Sequence, residues 1–263
     1  MRKIILDELK NIEREERVRI LYAVEAGSRA WGYHTDESDY DVRYIYIREV
    51  TAYLNLQGTK DVIEKSTHDS IEFSGWDLSK ALKLLRKSNP SLMEWLTNEN
   101  VYIAHPDIEK IRKLRDQTFS PTRCLIHYYH MGKRNMEKYS KDGIKDLKKM
   151  MTIIRPWLAY KWIKEYQTFP PNGMNDMVDH IKMNEEMKAT ISYMLLSRVN
   201  GKEVPFPFLM YMEQYIRKDL LKLDGNLEDL HLHSNDSFHW EDISETFLNI
   251  LEDVWGVHLD RKG

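Results

Sequence analysis

The sequence contains a single cysteine, Cys124, among 263 residues, so no disulfide can form within one chain. That usage is typical of a reducing compartment. No apolar run approaches the roughly 18 residues that a membrane-spanning helix needs. The opening stretch MRKIILDELKNIEREERVR is too rich in charge for a secretory signal. We therefore expect a globular protein of the cytoplasm without a membrane partner.

Three common motifs of nucleotide and hydrolase chemistry are also missing. The chain has no G-x-x-x-x-G-K-[ST], no G-x-G-x-x-G and no G-x-S-x-G. P-loop, dinucleotide-binding and serine-hydrolase mechanisms therefore have no support in the sequence.

Neither sign of charge is in large excess over the whole chain, because the formal net charge is only −3. The distribution is uneven, however, and residues 110–165 hold 15 Lys and Arg against 5 Asp and Glu. A basic segment attracts nucleotide phosphates and nucleic-acid backbones. The alternative is a set of solvated helix faces without a functional role.

Strand and helix patterns alternate in the first part of the chain and give way to helices in the second. Apolar, β-favouring runs at 18–24 and 42–47 predict two strands, and 61–73 predicts two short strands or one bent strand. Ser74 is expected to begin the next helix, with Asp77 as its capping-box partner. We therefore predict an α/β (α+β) domain with a small mixed sheet over residues 1–105 and a helical-bundle domain over 106–263.

A Gly-Ser turn follows the first predicted strand, and two aspartates stand eleven residues after it. Gly27 permits a tight turn close to a ligand, and Ser28 would open a helix whose free N–H groups face an anion. Asp39 and Asp41 share one strand face with Arg43, because alternate strand residues point the same way. Paired carboxylates suit Mg²⁺ held together with substrate phosphates. This layout predicts phosphoryl or nucleotidyl transfer.

These residues also resemble a known superfamily. The string GSRAWG…SDYDVR is similar to the Gly-Ser and Asp-x-Asp motifs of the DNA polymerase β-like nucleotidyltransferases. With GWD at 75–77 and NPSLMEWL at 89–96, it resembles more closely the predicted bacterial and phage nucleotidyltransferases grouped as RNA-repair-associated proteins. The motifs cover roughly residues 20–105, and the match is looser in the helical half, where it centres on 148–149 and 155–156.

The resemblance implies a third carboxylate on a later strand. Glu72 alternates onto the face that would join Asp39 and Asp41, and it could serve as general base for the attacking hydroxyl. The family usually has Asp at this point, so Glu72 is a departure from its pattern. Asp69 is the alternative third carboxylate.

Several basic residues are expected to contact phosphate. Lys148 and Arg155 fall on one face of a predicted helix over 143–165, which Pro156 should kink or divide. Arg43 could contact phosphate or hold Asp41 in an ion pair, and Arg29 is a further phosphate candidate.

The resemblance implies a pyrophosphate-releasing nucleotidyltransferase that uses Mg²⁺ or Mn²⁺ and an NTP, with ATP expected first. An RNA 3′ end is the expected acceptor. A small-molecule acceptor, a protein acceptor and a non-catalytic nucleotide-binding regulator remain open alternatives. The motifs describe only the donor half of such a site.

Overall fold

A computed structural model of the protein describes residues 1–67, 70–140, 143–224 and 240–259. The strands in these ranges are β1 (Val18–Glu25), β2 (Tyr40–Arg48), β3 (Val62–Thr67), β4 (Ile71–Asp77) and β5 (Val101–Ala104). The helices that accompany the sheet are α1 (Arg2–Glu16), α2 (Gly27–Trp31), α3 (Val50–Tyr53), α4 (Leu78–Arg86), α5 (Pro90–Thr97) and α6 (Ile108–Thr118). The later helices are α7 (Pro121–Tyr139), α8 (Leu147–Tyr166), α9 (Met174–His180), α10 (Glu185–Val199), α11 (Phe206–Asp224) and α12 (Trp240–Trp255).

The strands form one mixed sheet in the order β3-β4-β2-β1-β5. β2 and β4 run parallel, and the other neighbouring pairs are antiparallel. A mixed sheet with helices, followed by a helical region, confirms the predicted fold class.

Both faces of the sheet are covered, so alternate residues of a strand enter different cores. Tyr44 and Tyr46 of β2 pack with α1 in one cluster. Ile45 and Ile47 pack with α4, α5, α6 and α12 in the other. Strand β2 is thereby held from both sides.

A separate core holds the later helices together around α8. Its side chains include the fully buried Trp157, Tyr128 and Tyr129. Helix α12, by contrast, contributes Ile243 and Ile250 to the cluster on one face of the sheet, where the helix packs beside α4 and α6. The division at residue 105 stays a prediction. None of the helices in the described ranges is long and apolar enough to cross a membrane.

The junction of β4 and α4 differs from the expectation that a helix begins at Ser74. β4 continues to Asp77, because its pairing with β2 extends to Tyr46 opposite Asp77. Asp77 is the N-cap of α4 and accepts a hydrogen bond from the Ser79 N–H at 2.8 Å. The capping-box prediction is therefore wrong, although Asp77 does begin a helix.

Pro156 neither ends nor divides α8, which runs unbroken through it. Proline lacks the N–H that would bond the Thr152 carbonyl four residues earlier. The Asn135 side chain of α7 supplies that donor, at 2.8 Å from the Thr152 oxygen. A tertiary contact thus compensates for the break that the sequence predicts.

We predict that Asn135→Leu lowers the free energy of unfolding by about 1–3 kcal/mol, because it leaves a shielded carbonyl without a donor. Urea denaturation followed by circular dichroism measures the change. The control is Asn200→Leu, since Asn200 makes the same kind of bond, to the Leu196 carbonyl, at an exposed site. Equal effects of the two substitutions would contradict this account of Pro156.

Candidate active site

An open cleft of about 820 Å³ lies between the sheet and the helical half. Its walls come from the turn at α2, the starts of β2 and β4, and the helices α5, α8 and α10. The charged side chains that line it are Glu37, Asp39, Asp41, Arg43, Glu64, Lys65, Glu72, Glu94, Lys148 and Arg198. Residues more than 150 positions apart in the chain therefore meet in one cavity.

The Gly-Ser turn holds the carboxylate of Asp41 at very close range. Gly27 has a φ of +59°, and a Cβ on it would stand 2.0 Å from Asp41 Oδ2. The Ala26 N–H donates to the Asp41 carbonyl at 2.7 Å, which ties the turn to β2. Gly27 itself begins α2, one residue before Ser28. Only glycine allows this contact between turn and carboxylate.

We predict that Gly27→Ala costs about 1–3 kcal/mol more unfolding free energy than Gly32→Ala. Both glycines have positive φ, so both substitutions strain the backbone, but a Cβ on Gly32 would meet nothing within 4 Å. The difference isolates the collision with Asp41. Urea denaturation measures it, and equal losses would mean that the turn does not confine the carboxylate.

Asp41 and Glu72 are direct neighbours on the parallel strands β2 and β4. Arg43 lies beside both carboxylates, with its Nη2 atom 2.8 Å from Asp41 Oδ1 and 3.9 Å from Glu72 Oε2. Adjacent carboxylates repel each other unless a cation lies near them. In this structure the guanidinium group of Arg43 provides that positive charge.

Within the described ranges, no three His, Cys, Asp or Glu side chains are gathered as a metal site. Asp39, Asp41 and Glu72 nevertheless all line the same cleft, and carboxylate oxygens are ligands that Mg²⁺ accepts. The donor set is therefore chemically suited to a divalent ion. A bound ion would have to share Asp41 with Arg43 or displace its guanidinium group.

Glu25, a buried acid that the sequence analysis did not single out, forms a hydrogen bond with the backbone of Asp41. Glu25 is 4% exposed at the end of β1, and it accepts the Asp41 backbone N–H at 2.9 Å. Burial raises the pKa of the Glu25 carboxyl, against a hydrogen bond donated by the Tyr102 hydroxyl, which lowers it. Its position at the end of an apolar strand is the only local sign of its burial.

Arg29 does not line the cleft. Its guanidinium group donates to the backbone carbonyls of Ser38 at 2.8 Å and Asp39 at 3.3 Å. The same group lies 3.8 Å from the ring centroid of Tyr40. These contacts fix the loop that carries Asp39.

The helical half contributes Lys148, Thr152 and Arg198 to the cleft wall. Arg155 is not part of that wall. It is buried and pairs with Glu94 of α5, with 2.6 Å between Arg155 Nη1 and Glu94 Oε1. Lys148 and Arg155 share a face of the unbroken helix α8, as their spacing predicts, but only Lys148 lines the cleft.

Glu94 is the centre of a network that joins four helices. It accepts hydrogen bonds from the Trp31 indole at 3.2 Å and the Tyr128 hydroxyl at 2.8 Å. The Arg155 guanidinium carbon lies 4.5 Å from the Trp31 ring centroid. Burial lowers the pKa of Arg155, but Glu94 and Tyr128 outweigh it and raise that pKa above its ordinary value. Arg155 therefore stays charged inside the protein.

We predict that Glu94→Gln destabilises the protein by about 3–5 kcal/mol, because it leaves the buried charge of Arg155 without a counter-ion. Thermal and urea unfolding measure the loss. Lys182→Ala serves as control, since it removes an exposed ion pair with Glu165 and should change little. A loss of unfolding free energy no larger than that of the control would show that the Glu94 network does not hold α5 to the later helices.

Two further residues concern the predicted site. Asp69, the alternative third carboxylate, lies outside the described residues. Arg198 was not predicted at all, because nothing in its local pattern distinguishes it from other arginines on helix surfaces. Only the packing of α10 beside α8 brings it to the cleft.

The chain is similar to several known proteins. A solved nucleotidyltransferase-like protein from Exiguobacterium sibiricum 255-15 is similar over 95% of this chain and 80% of that one, at 10% identity and a TM-score of 0.33. The uncharacterized protein YcgL of Bacillus subtilis (strain 168) is 36% identical over 257 residues, which cover 97% of this chain and 98% of that protein. The model of the RNA repair pathway DNA polymerase beta family matches residues 1–249. The chain belongs to this family, in agreement with the resemblance of its motifs.

Proposed function

We propose that the protein is a metal-dependent nucleotidyltransferase that moves an NMP from an NTP, with ATP as the first donor to test, to the 3′ hydroxyl of an RNA. One observation carries the proposal. The backbone of Gly27, the carboxylate of Asp41 and its strand neighbour Glu72 meet at an open cleft that Lys148 and Arg198 also line.

The donor phosphates would lie over the turn at Gly27 and Ser28. Asp39, Asp41 and Glu72 would hold Mg²⁺ or Mn²⁺, the hard cations that carboxylates and phosphates share. The ion would supply charge neutralisation and a more acidic acceptor hydroxyl when bound. Arg43 would then be free to contact a phosphate oxygen in place of Asp41.

In the reaction, the acceptor oxygen forms a bond to the α-phosphorus of the NTP. The bond from that phosphorus to the bridging oxygen breaks, and pyrophosphate leaves with the electron pair. Glu72 would accept the hydroxyl proton; its side chain is 63% exposed, so an acceptor can reach it. Lys148 and Arg198 would offset the negative charge of the phosphates from the opposite wall.

The choice of RNA as acceptor rests on two supports. The family to which the chain belongs is described as part of an RNA repair pathway. The stretch 110–165, which carries Lys148, is strongly basic in an otherwise acidic chain. Both favour a polyanionic acceptor over a neutral one.

We predict that purified protein transfers label from an α-³²P NTP to RNA in the presence of Mg²⁺, and that Asp41→Asn lowers the rate at least about 100-fold. Loss of a side chain one step removed from a metal already costs about 10–100-fold, so loss of a ligand should cost more. Gel electrophoresis of the RNA and assay of released pyrophosphate measure the reaction.

Asp36→Asn is the matched control, because Asp36 is exposed in the loop that precedes β2 and does not line the cleft. Pyrophosphate release without labelled RNA would redirect the proposal to a small-molecule or protein acceptor. Nucleotide binding without any release would identify a non-catalytic regulator. Full transfer by Asp41→Asn would contradict the assignment of the site.

A further inference from the structure

A second cavity of about 730 Å³ opens beside the cleft. It lies between the start of α8 and the segment that joins α10 to α11. Its lining residues include Lys145, Asp146, Lys148, Arg198, Lys202, Glu203 and Phe206. We refer to it as the side groove.

The side groove is continuous with the cleft, because Lys148 and Arg198 line both. These two residues therefore mark the passage from one cavity to the other. A ligand in the side groove that passes between them would reach the carboxylates of the cleft.

The charge of the side groove is predominantly positive. Four basic side chains line it, against the carboxylates of Asp146 and Glu203. Asp146 accepts the Lys148 backbone N–H at 2.7 Å and caps α8. Among the described residues, none of the four basic side chains forms an ion pair, and Arg198 Nε is buried without a partner there. Cations left without counter-ions along a groove favour a polyanion.

The groove also offers a surface on which a base can stack. Phe206 lines it and is 41% exposed. Two more exposed rings, Tyr193 of α10 and Phe208 of α11, lie outside the groove lining with their ring centroids 5.7 Å apart. An exposed ring next to a row of cations, as at Phe206, is typical of proteins that bind single strands, whose bases are free to stack.

We propose that the side groove binds the acceptor as a single-stranded RNA, with its phosphates along Lys145 and Lys202 and its 3′ end entering the cleft between Lys148 and Arg198. This inference rests on the proposed function, since it names the path of the acceptor toward the same site. It assigns separate tasks to the two cavities: the cleft takes the NTP, and the side groove takes the strand.

The test is equilibrium binding of a fluorescent single-stranded oligoribonucleotide to the full chain at several salt concentrations, without NTP. Lys145→Ala/Lys202→Ala should weaken binding at least about tenfold near 0.1 M salt. It should also reduce the log–log salt slope by roughly 1.4, which is about 0.7 for each lost phosphate contact. Phe206→Ala should weaken binding about fivefold or more and leave the slope unchanged.

The control is Lys10→Ala/Lys164→Ala, which removes the same charge from exposed positions outside both cavities. Equal weakening by this control would overturn the proposal, because it would reduce the effect to net charge. So would unchanged binding by Lys145→Ala/Lys202→Ala, absence of binding by the wild type, or equal affinity for a duplex of the same length.

Label transfer, measured in parallel, separates this inference from the proposed function. Binding that depends on the groove without any transfer would leave the groove assigned and remove the enzyme activity. Transfer to RNA that is unaffected by Lys145→Ala/Lys202→Ala would keep the enzyme and overturn the groove. If the acceptor were a small molecule, transfer to that molecule would be unaffected by Lys145→Ala/Lys202→Ala and the protein would not bind RNA, which would also overturn the groove.

Discussion

The buried ion pair between Glu94 and Arg155 is the contact on which the shape of the cleft depends. Glu94 belongs to a helix on the sheet, and Arg155 belongs to the central helix of the later half. Trp31, from the helix that follows the Gly-Ser turn, donates to the same carboxylate. The pair therefore fixes the relative positions of the turn, the sheet and the central helix α8, which carries Lys148. A charged pair of this kind is sensitive to the loss of either partner.

Charge balance at the carboxylates is the second constraint. Asp41 is held beside the turn, because its backbone carbonyl accepts the Ala26 N–H and its side chain lies against Gly27. Glu72 is brought next to it by the parallel pairing of β4. Arg43 is the cation that lies beside both carboxylates. The repulsion between the carboxylates of Asp41 and Glu72 that Arg43 offsets would also favour binding of a divalent ion in the proposed reaction.

The sequence predicted contacts between residues close together in the chain better than contacts between residues far apart in it. Strand alternation predicted the shared face of Asp41 and Arg43, and apolar periodicity predicted the strands of the sheet and the helical region. The place of Arg155 could not be read from helix spacing, because its partner Glu94 lies 61 residues away. Arg198, Glu25 and the Asn135 contact that sustains the helix through Pro156 were missed for the same reason. Packing between elements, which has no local pattern, determines all of them.

The most direct measurement is a crystal structure with Mn²⁺ and a non-hydrolysable ATP analogue, with the ion located by anomalous scattering. We expect an Mn²⁺ peak within about 2.5 Å of Asp41 oxygens. We also expect the phosphates to lie over Gly27 and Ser28, and Arg43 to be turned away from Asp41. An intact Arg43–Asp41 pair with the nucleotide bound outside the cleft would contradict it.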